Sequence, residues 1–263
     1  MSTLKGKNII VTGASSGIGE MIARFIAEGG GSPILVARSE LKLRTLQQEI
    51  SNVYSVPCNY YTVDLTNLEQ WRDGLNKIIN DYSRVDAIVN NAGIGIFDFI
   101  ENIKWEDIER MFQLNVFALM QGIHQILPHF EQNKQGHIIN IASQAGKIST
   151  PKSSIYGATK HAVIGYTNAL RLEVASKGIY VTTVNLGPVR TNFFDMADPT
   201  GSYQQSVDRF MLDPAYVARK VVGGLFKPKR EINLPYWMDI GSRVYQMFPN
   251  LIEKLLKHQF NRK

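Results

Sequence analysis

Tyr156 and Lys160 lie four residues apart in the run Ser154-Ile155-Tyr156-Gly157-Ala158-Thr159-Lys160. If that run is helical, both side chains leave the same face. A free phenol titrates near pH ~10, and a neighbouring ammonium favours its ionised form. The pair therefore reads as a proton donor and acceptor that works near neutrality. Upstream, Ser143 closes the apolar run His137-Ile138-Ile139-Asn140-Ile141, which reads as a strand. A hydroxyl at such a strand end can hydrogen-bond a substrate carbonyl oxygen as that oxygen gains charge. Together the three residues suggest proton transfer at an oxygen bound to carbon.

A second constellation lies near the N-terminus. Thr12-Gly13-Ala14-Ser15-Ser16-Gly17-Ile18-Gly19 joins the strand-like run Asn8-Ile9-Ile10-Val11-Thr12 to an amphipathic segment over 17–28. Glycines in that turn let backbone approach a pyrophosphate, and the free N–H groups of the helix start stabilise its charge. The spacing is Gly-x-x-x-Gly-x-Gly, unlike the commoner Gly-x-Gly-x-x-Gly. After the next strand, Pro33-Ile34-Leu35-Val36-Ala37, stands Arg38. An NAD site usually carries an acid there for the ribose 2′-hydroxyl, whereas a guanidinium pairs with a 2′-phosphate. The expected cofactor is therefore NADP (NADPH).

The elements that must position these residues alternate strand and helix. Further strands are expected to end at Thr62-Val63-Asp64 and to cover 86–90 and 180–185; helices are expected over 40–51, 67–81, 106–132 and 154–176. Repeated strand–helix units predict an α/β fold, a Rossmann-type doubly wound parallel sheet flanked by helices. No linker or repeat divides the chain, so one dinucleotide-binding and catalytic domain is expected over 1–235, with an amphipathic extension over 236–263.

The 263 residues carry a formal charge of +6, but eight of the basic residues and only three acidic ones fall in 227–263. The body is nearly neutral, so no nucleic-acid partner is expected. The single Cys58 excludes an intramolecular disulfide and reads as a half-buried residue near a strand in a reducing compartment. The start of the sequence shows no apolar secretory region, and no apolar run suits a membrane span, so a cytoplasmic location is expected. The histidines form no ligand-spaced pair, and no metal site is expected. His161 reads as helix surface, and Trp71 and Trp105 as packing residues.

The ordered set of Thr12-Gly13-x-x-x-Gly17-x-Gly19, Asn90-Asn91-Ala92-Gly93, Asn115, Ser143, Tyr156-x-x-x-Lys160 and Asn185-Leu186-Gly187-Pro188-Val189-Arg190-Thr191 resembles the compact single-domain branch of the short-chain dehydrogenase/reductases, over about residues 7–235. The resemblance implies that Tyr156 is the general acid/base. It makes Lys160 the residue that lowers the phenol pKa and holds the nicotinamide ribose. It gives Ser143 the substrate oxygen and Asn115 a water in the proton relay. It also implies that Gly13, Ser15, Ser16, Gly17, Ile18 and Gly19 form the phosphate turn, and that Asp64 and Leu65 meet the adenine. Asn91, Ala92 and Gly93 would line the cofactor, Val189 and Thr191 would fix its carboxamide, and Arg38 matches the NADP-preferring members. The implied activity is hydride transfer between a nicotinamide and a carbonyl or secondary alcohol. The alternative, a catalytically silent dinucleotide-binding regulator of the same fold, would tolerate loss of Tyr156 or Lys160, and both are present.

Residues 192–203 occupy the family's usual substrate-lid position and carry Phe193, Phe194, Met196 and Tyr203. With Ile94, Phe97, Gln144, Ile148 and Ser149 as further pocket candidates, they suit an apolar small-molecule carbonyl or alcohol. In the extension, Ile240, Val244, Met247, Phe248, Leu251, Ile252, Leu255, Leu256 and Phe260 recur at helical spacing, with Pro249 dividing two short helices. Such a face packs on its own subunit, joins a homodimer or homotetramer, or makes a peripheral membrane contact.

Overall fold

Runs rich in Ile and Val become strands because both of their faces are covered. The computed structural model describes residues 4–198 and 201–260, with side chains as far as 255. Its strands are β1 (Asn8–Thr12), β2 (Ser32–Ala37), β3 (Asn59–Thr62), β4 (Ala87–Asn90), β5 (Gly136–Ser143), β6 (Ile179–Leu186) and β7 (Glu231–Leu234). They form one sheet in the order β3-β2-β1-β4-β5-β6-β7, every pair parallel. Parallel neighbours need crossovers, and helices supply them: α1 (Gly17–Glu28), α2 (Glu40–Tyr54), α3 (Leu68–Asp81), α4 (Trp105–Phe112), α5 (Ala118–Gln132) and α6 (Ser154–Glu173). Shorter helices follow: α7 (Phe193–Ala197), α8 (Ser202–Val207), α9 (Pro214–Val222), α10 (Tyr236–Met247) and α11 (Pro249–Phe260).

Alternate side chains of each strand enter opposite cores. Ile9, Val11 and Leu35 pack with Ile22, Leu43 and Val217 of α1, α2 and α9, whereas Ile10, Ile34 and Ile138 pack with Trp71, Phe130 and Val163 of α3, α5 and α6. The expected doubly wound α/β sheet is therefore present. Strand order reverses between β1 and β4, the place where such sheets open a ligand crevice.

Three local features depart from expectation. The single helix expected over 106–132 is divided by a π turn at Gln113–Phe117; the irregularity is confined to one turn, and the helical period resumes on both sides of it. β7 was not expected because its Glu-Ile-Asn-Leu is short and half polar, as suits an edge strand. Trp105 does not pack: it is exposed at the start of α4, and its indole donates to Glu109 Oε1 at 2.9 Å. Trp71 is buried, and its indole N–H meets the Ala118 carbonyl at 2.9 Å.

Thr12 fastens the two strands that flank the crevice. Its hydroxyl donates to the Val89 carbonyl (3.4 Å) and accepts the N–H groups of Asn91 (3.0 Å) and Ala92 (3.1 Å). Thr12→Val keeps the shape but strands both amides. We expect it to cost about 2–4 kcal/mol in urea unfolding, with Thr12→Ser recovering most of the loss.

Candidate active site

The carboxyl ends of β1, β2, β4, β5 and β6 open on a cleft of about 1270 Å³. Its floor is the glycine turn. Gly13 has φ +65°, and a Cβ there would lie 2.9 Å from the Ala92 Cα, so only glycine fits. The Asn91 amide donates to the Thr12 carbonyl at 3.0 Å and closes the turn against β4. Ser16 precedes α1 in an extended conformation and its side chain caps nothing, which leaves the first-turn N–H groups of α1 without a side-chain acceptor. Ser15, Ser16, Gly17 and Ile18 all face the cleft, whereas Gly19 is buried behind the turn.

Arg38 stands exposed at the far end, where Ser39 and Lys42 also line the cleft. Ser39 precedes α2 and likewise makes no side-chain cap, so a second helix start points its amides there. Sequence reasoning missed Ser39 and Lys42, whose only signal is their place in the first turn of the helix after Arg38. Asp64 Oδ1 accepts from the Thr66 amide (3.0 Å) and hydroxyl (2.7 Å). Burial works to raise the Asp64 pKa, but these bonds and the charges of Arg38 and Arg110 bring it below the usual carboxylate value. Arg110, also on the cleft, was not foreseen either. Leu65, Asn91, Ala92, Gly93, Val189 and Thr191 line the same cleft.

Tyr156 and Lys160 are both buried on α6, and Ser143 ends β5 beside them. Lys160 Nζ donates to the Ile141 carbonyl at 3.0 Å and lies 5.7 Å from the centre of the Tyr156 ring. Burial pushes the Lys160 ammonium down to about 8. Burial also pushes the Tyr156 phenol above its ordinary value of 10, and a hydrogen bond with Ser143 only partly opposes the rise. Lys160 does not reverse this rise. The ammonium is bonded to a backbone carbonyl and flanks the ring, so desolvation outweighs its attraction. Ser143 Oγ also accepts the Ala145 amide (3.1 Å) and donates to the Leu186 carbonyl (3.2 Å).

Asn115 does not line the cleft. From the π turn its Oδ1 accepts the Ile94 amide (2.9 Å), and its Nδ2 donates to the Ile94 carbonyl (2.8 Å) and to Thr159 Oγ1 (3.0 Å). It sits directly behind Gly93, whose Cβ, if present, would lie 3.1 Å from Asn115 Oδ1 and 3.6 Å from Lys160 Nζ.

Aromatic side chains wall the space above Tyr156. Phe97 stacks on Tyr203 at 4.2 Å and meets the Tyr156 ring edge-on at 5.3 Å, and Phe193 lies 5.9 Å from Tyr156. The Phe97 amide donates to the Ala197 carbonyl at 2.7 Å, which ties α7 to the loop after β4. Residues 199 and 200 of the expected lid lie outside the described residues. Ile94, Gln144 and Ile148 line the cleft, but Ser149 does not. Trp237 and Met238 of α10 complete the mouth. Burial raises the Cys58 thiol to about 12, so it is inert rather than nucleophilic. His161 is exposed on α6, as expected.

A buried polar cluster fastens the turn after Ser143. Lys147 Nζ donates to Glu231 Oε2 (2.7 Å), Asn233 Oδ1 (3.1 Å) and Asp239 Oδ1 (2.9 Å). Its partners come from β7 and α10, too far along the chain for any local pattern to show.

The site thus sets a buried phenol and a hydroxyl at the base of an aromatic pocket, beside a cleft shaped for a dinucleotide. A family model described as short chain dehydrogenase matches residues 7–200. An uncharacterised oxidoreductase of Staphylococcus saprophyticus is 32% identical over 234 residues, covering 87% of this chain and 94% of that one. One from Listeria monocytogenes is 38% identical over 190 residues, with 72% and 76% covered. Among solved structures, a short-chain dehydrogenase from Sphingobium yanoikuyae in complex with NADPH has a TM-score of 0.80 at 28% identity, covering 92% of this chain and 94% of its own. A 3-ketoacyl-(acyl-carrier-protein) reductase from Brucella melitensis complexed with NADH has a TM-score of 0.78 at 26% identity, with 88% and 97% covered. Sheet order, cleft and family match agree, and the chain belongs to the short-chain dehydrogenase/reductase family of oxidoreductases.

Proposed function

We propose that this oxidoreductase uses NADP(H) to interconvert a carbonyl and a secondary alcohol on an apolar small molecule. The observation that carries the reading is the Tyr156 phenol, with Ser143 beside it, at the meeting point of the aromatic pocket and the glycine-floored cleft. The cleft fits the cofactor: a Cβ on Gly13 would close it, and the uncapped starts of α1 and α2 offer amides to its phosphates. When bound, the cofactor supplies or accepts the hydride.

The chain's own residues handle the oxygen. Ser143 holds the substrate oxygen, and Tyr156 gives it a proton or takes one away. Lys160 holds the nicotinamide ribose from behind Gly93, while Asn115 fixes that wall. Gly13, Ser15, Ser16, Gly17 and Ile18 cradle the pyrophosphate, and Gly19 lets the turn close behind them. Asp64 and Leu65 meet the adenine, Asn91, Ala92 and Gly93 line the dinucleotide, and Val189 and Thr191 hold its carboxamide. Arg38, with Ser39 and Lys42 around it and no carboxylate at the end of β2, favours a 2′-phosphate. The same reading has residues 1–235 as the catalytic unit, acting in the cytoplasm as a homodimer or homotetramer. Phe117, at the end of the π turn, and Leu172 on α6 are exposed apolar side chains that support the assembly.

Three outcomes follow. With NADPH and a panel of aryl and alicyclic ketones, Tyr156→Phe should lower turnover at least about 100-fold while cofactor binding by fluorescence persists; equal turnover would remove the phenol from the reaction. Arg38→Ala should weaken NADPH about tenfold and leave NADH unchanged, and tighter NADH binding by the parent would contradict the cofactor choice. Lys160 costs the cofactor-free fold stability below pH 8, because the unfolded chain keeps its proton up to about 10.5 while the fold gives it up near 8. That cost is relieved as pH rises from 8 to 10.5. The stability of Lys160→Met relative to the parent, followed by urea unfolding, should accordingly fall between pH 7 and pH ~10.

A further inference from the structure

Helix α10 is inside out. A surface helix normally turns its apolar stripe inward. In α10 the inward residues are Asp239 (1% exposed) and Ser242 (0%). Asp239 meets Lys147 Nζ at 2.9 Å and Arg243 at 3.0 Å, and the Ser242 hydroxyl donates to the Asp239 carbonyl at 2.8 Å. Turning the helix over would take Asp239 from Lys147 and set apolar side chains against that ammonium, a larger loss than exposing a few apolar side chains. Trp237, Ile240, Val244 and Met247 therefore face solvent, and Phe248, Leu251 and Leu255 carry the stripe onto α11, all between 42% and 71% exposed. The expected packing of this face on its own subunit does not occur at these residues; Leu256 and Phe260 lie outside the described side chains.

We propose that α10 and α11 rest this face on an anionic bilayer surface, with the cleft mouth at Trp237 turned toward the lipid. Charge selects that occupant. Residues 236–263 hold five basic residues against two acidic ones. Of those acids, Asp239 is engaged by Lys147, and Glu253 accepts the Tyr245 hydroxyl at 2.8 Å. Arg243 and Lys254 are exposed on the helices, and Arg209 lies 4.5 Å from the Phe210 ring that packs on Trp237. A two-fold contact between copies would set this basic surface against itself, whereas anionic headgroups oppose it with the right sign. Tyr236 and Trp237 begin the stripe, as suits the boundary between headgroups and acyl chains. No helix among the described residues is long and apolar enough to cross a membrane, so the contact lies along the surface. Trp237 and Met238 line the cleft, so an apolar compound dissolved in the bilayer meets the mouth directly.

Flotation of the full chain with phosphatidylcholine vesicles, with and without phosphatidylglycerol, tests the proposal and needs no substrate. The chain should partition onto the anionic vesicles on the order of tenfold better than onto neutral ones, and added salt should reduce the difference. Leu251→Gln/Leu255→Gln, and separately Val244→Gln, should lower that partition about tenfold with unchanged circular dichroism and NADPH binding. Absence of partition, or partition that the glutamine variants leave unchanged, overturns the proposal. So does a dimer in sedimentation velocity that the variants split, since a second copy would then own the face. Loss of NADPH binding in the parent would count against the proposed function alone, because vesicle binding does not depend on it.

Discussion

The side chain of Asn115 commits its amide oxygen and both of its N–H bonds to two neighbours: the Ile94 backbone on both its polar groups, and the Thr159 hydroxyl. Ile94 extends the wall that Gly93 presents to the cleft, and Thr159 lies on α6 between Tyr156 and Lys160. One buried amide thus joins the loop after β4, the π turn between α4 and α5, and the helix that carries the proton-transfer pair. A regular α-helix through residues 113–117 would turn residue 115 away from this junction, so the irregular turn is the condition for the clamp. Removing the amide would leave several buried partners unsatisfied, each at about 1–3 kcal/mol, which is more than the bonds contribute singly while intact.

The same competition between desolvation and pairing sets the character of the site and of the surface near it. Tyr156 and Lys160 have both lost water, and each is driven toward its neutral form by burial. Lys147 is also largely buried, but three oxygens surround it, and that satisfied cation decides which face of α10 turns inward. The lowered Lys160 ammonium and the outward apolar stripe are therefore two results of placing ammonium groups where water is scarce. One is left with a single carbonyl acceptor, and the other is fully paired.

Much of this was legible in the sequence where the deciding forces are local. The apolar runs of β1 and β2 and the bounds of α1 follow from composition and period, because burial on both faces leaves a continuous signal. Tyr156, Lys160, Ser143 and Arg38 showed through spacing and position at strand ends. What could not be read depends on distant partners. The extra residue rotates the apolar stripe within a single turn and the helical period resumes on both sides, so the π turn was not visible in the sequence. The direction of the Tyr156 shift rests on burial of the phenol, which the tertiary fold sets. The stripe on α10 and α11 was evident, but its outward orientation depends on Lys147, 92 residues before Asp239.

Native-state hydrogen exchange on Asn115→Ala tests the clamp most directly and requires no substrate. If Asn115 holds the site together, the amides of residues 93–97 and 154–160 should lose protection together, while β1 and β2 exchange as in the parent. Unchanged protection in both segments would contradict the account, since the wall of the cleft and the catalytic helix would then be held in place without it.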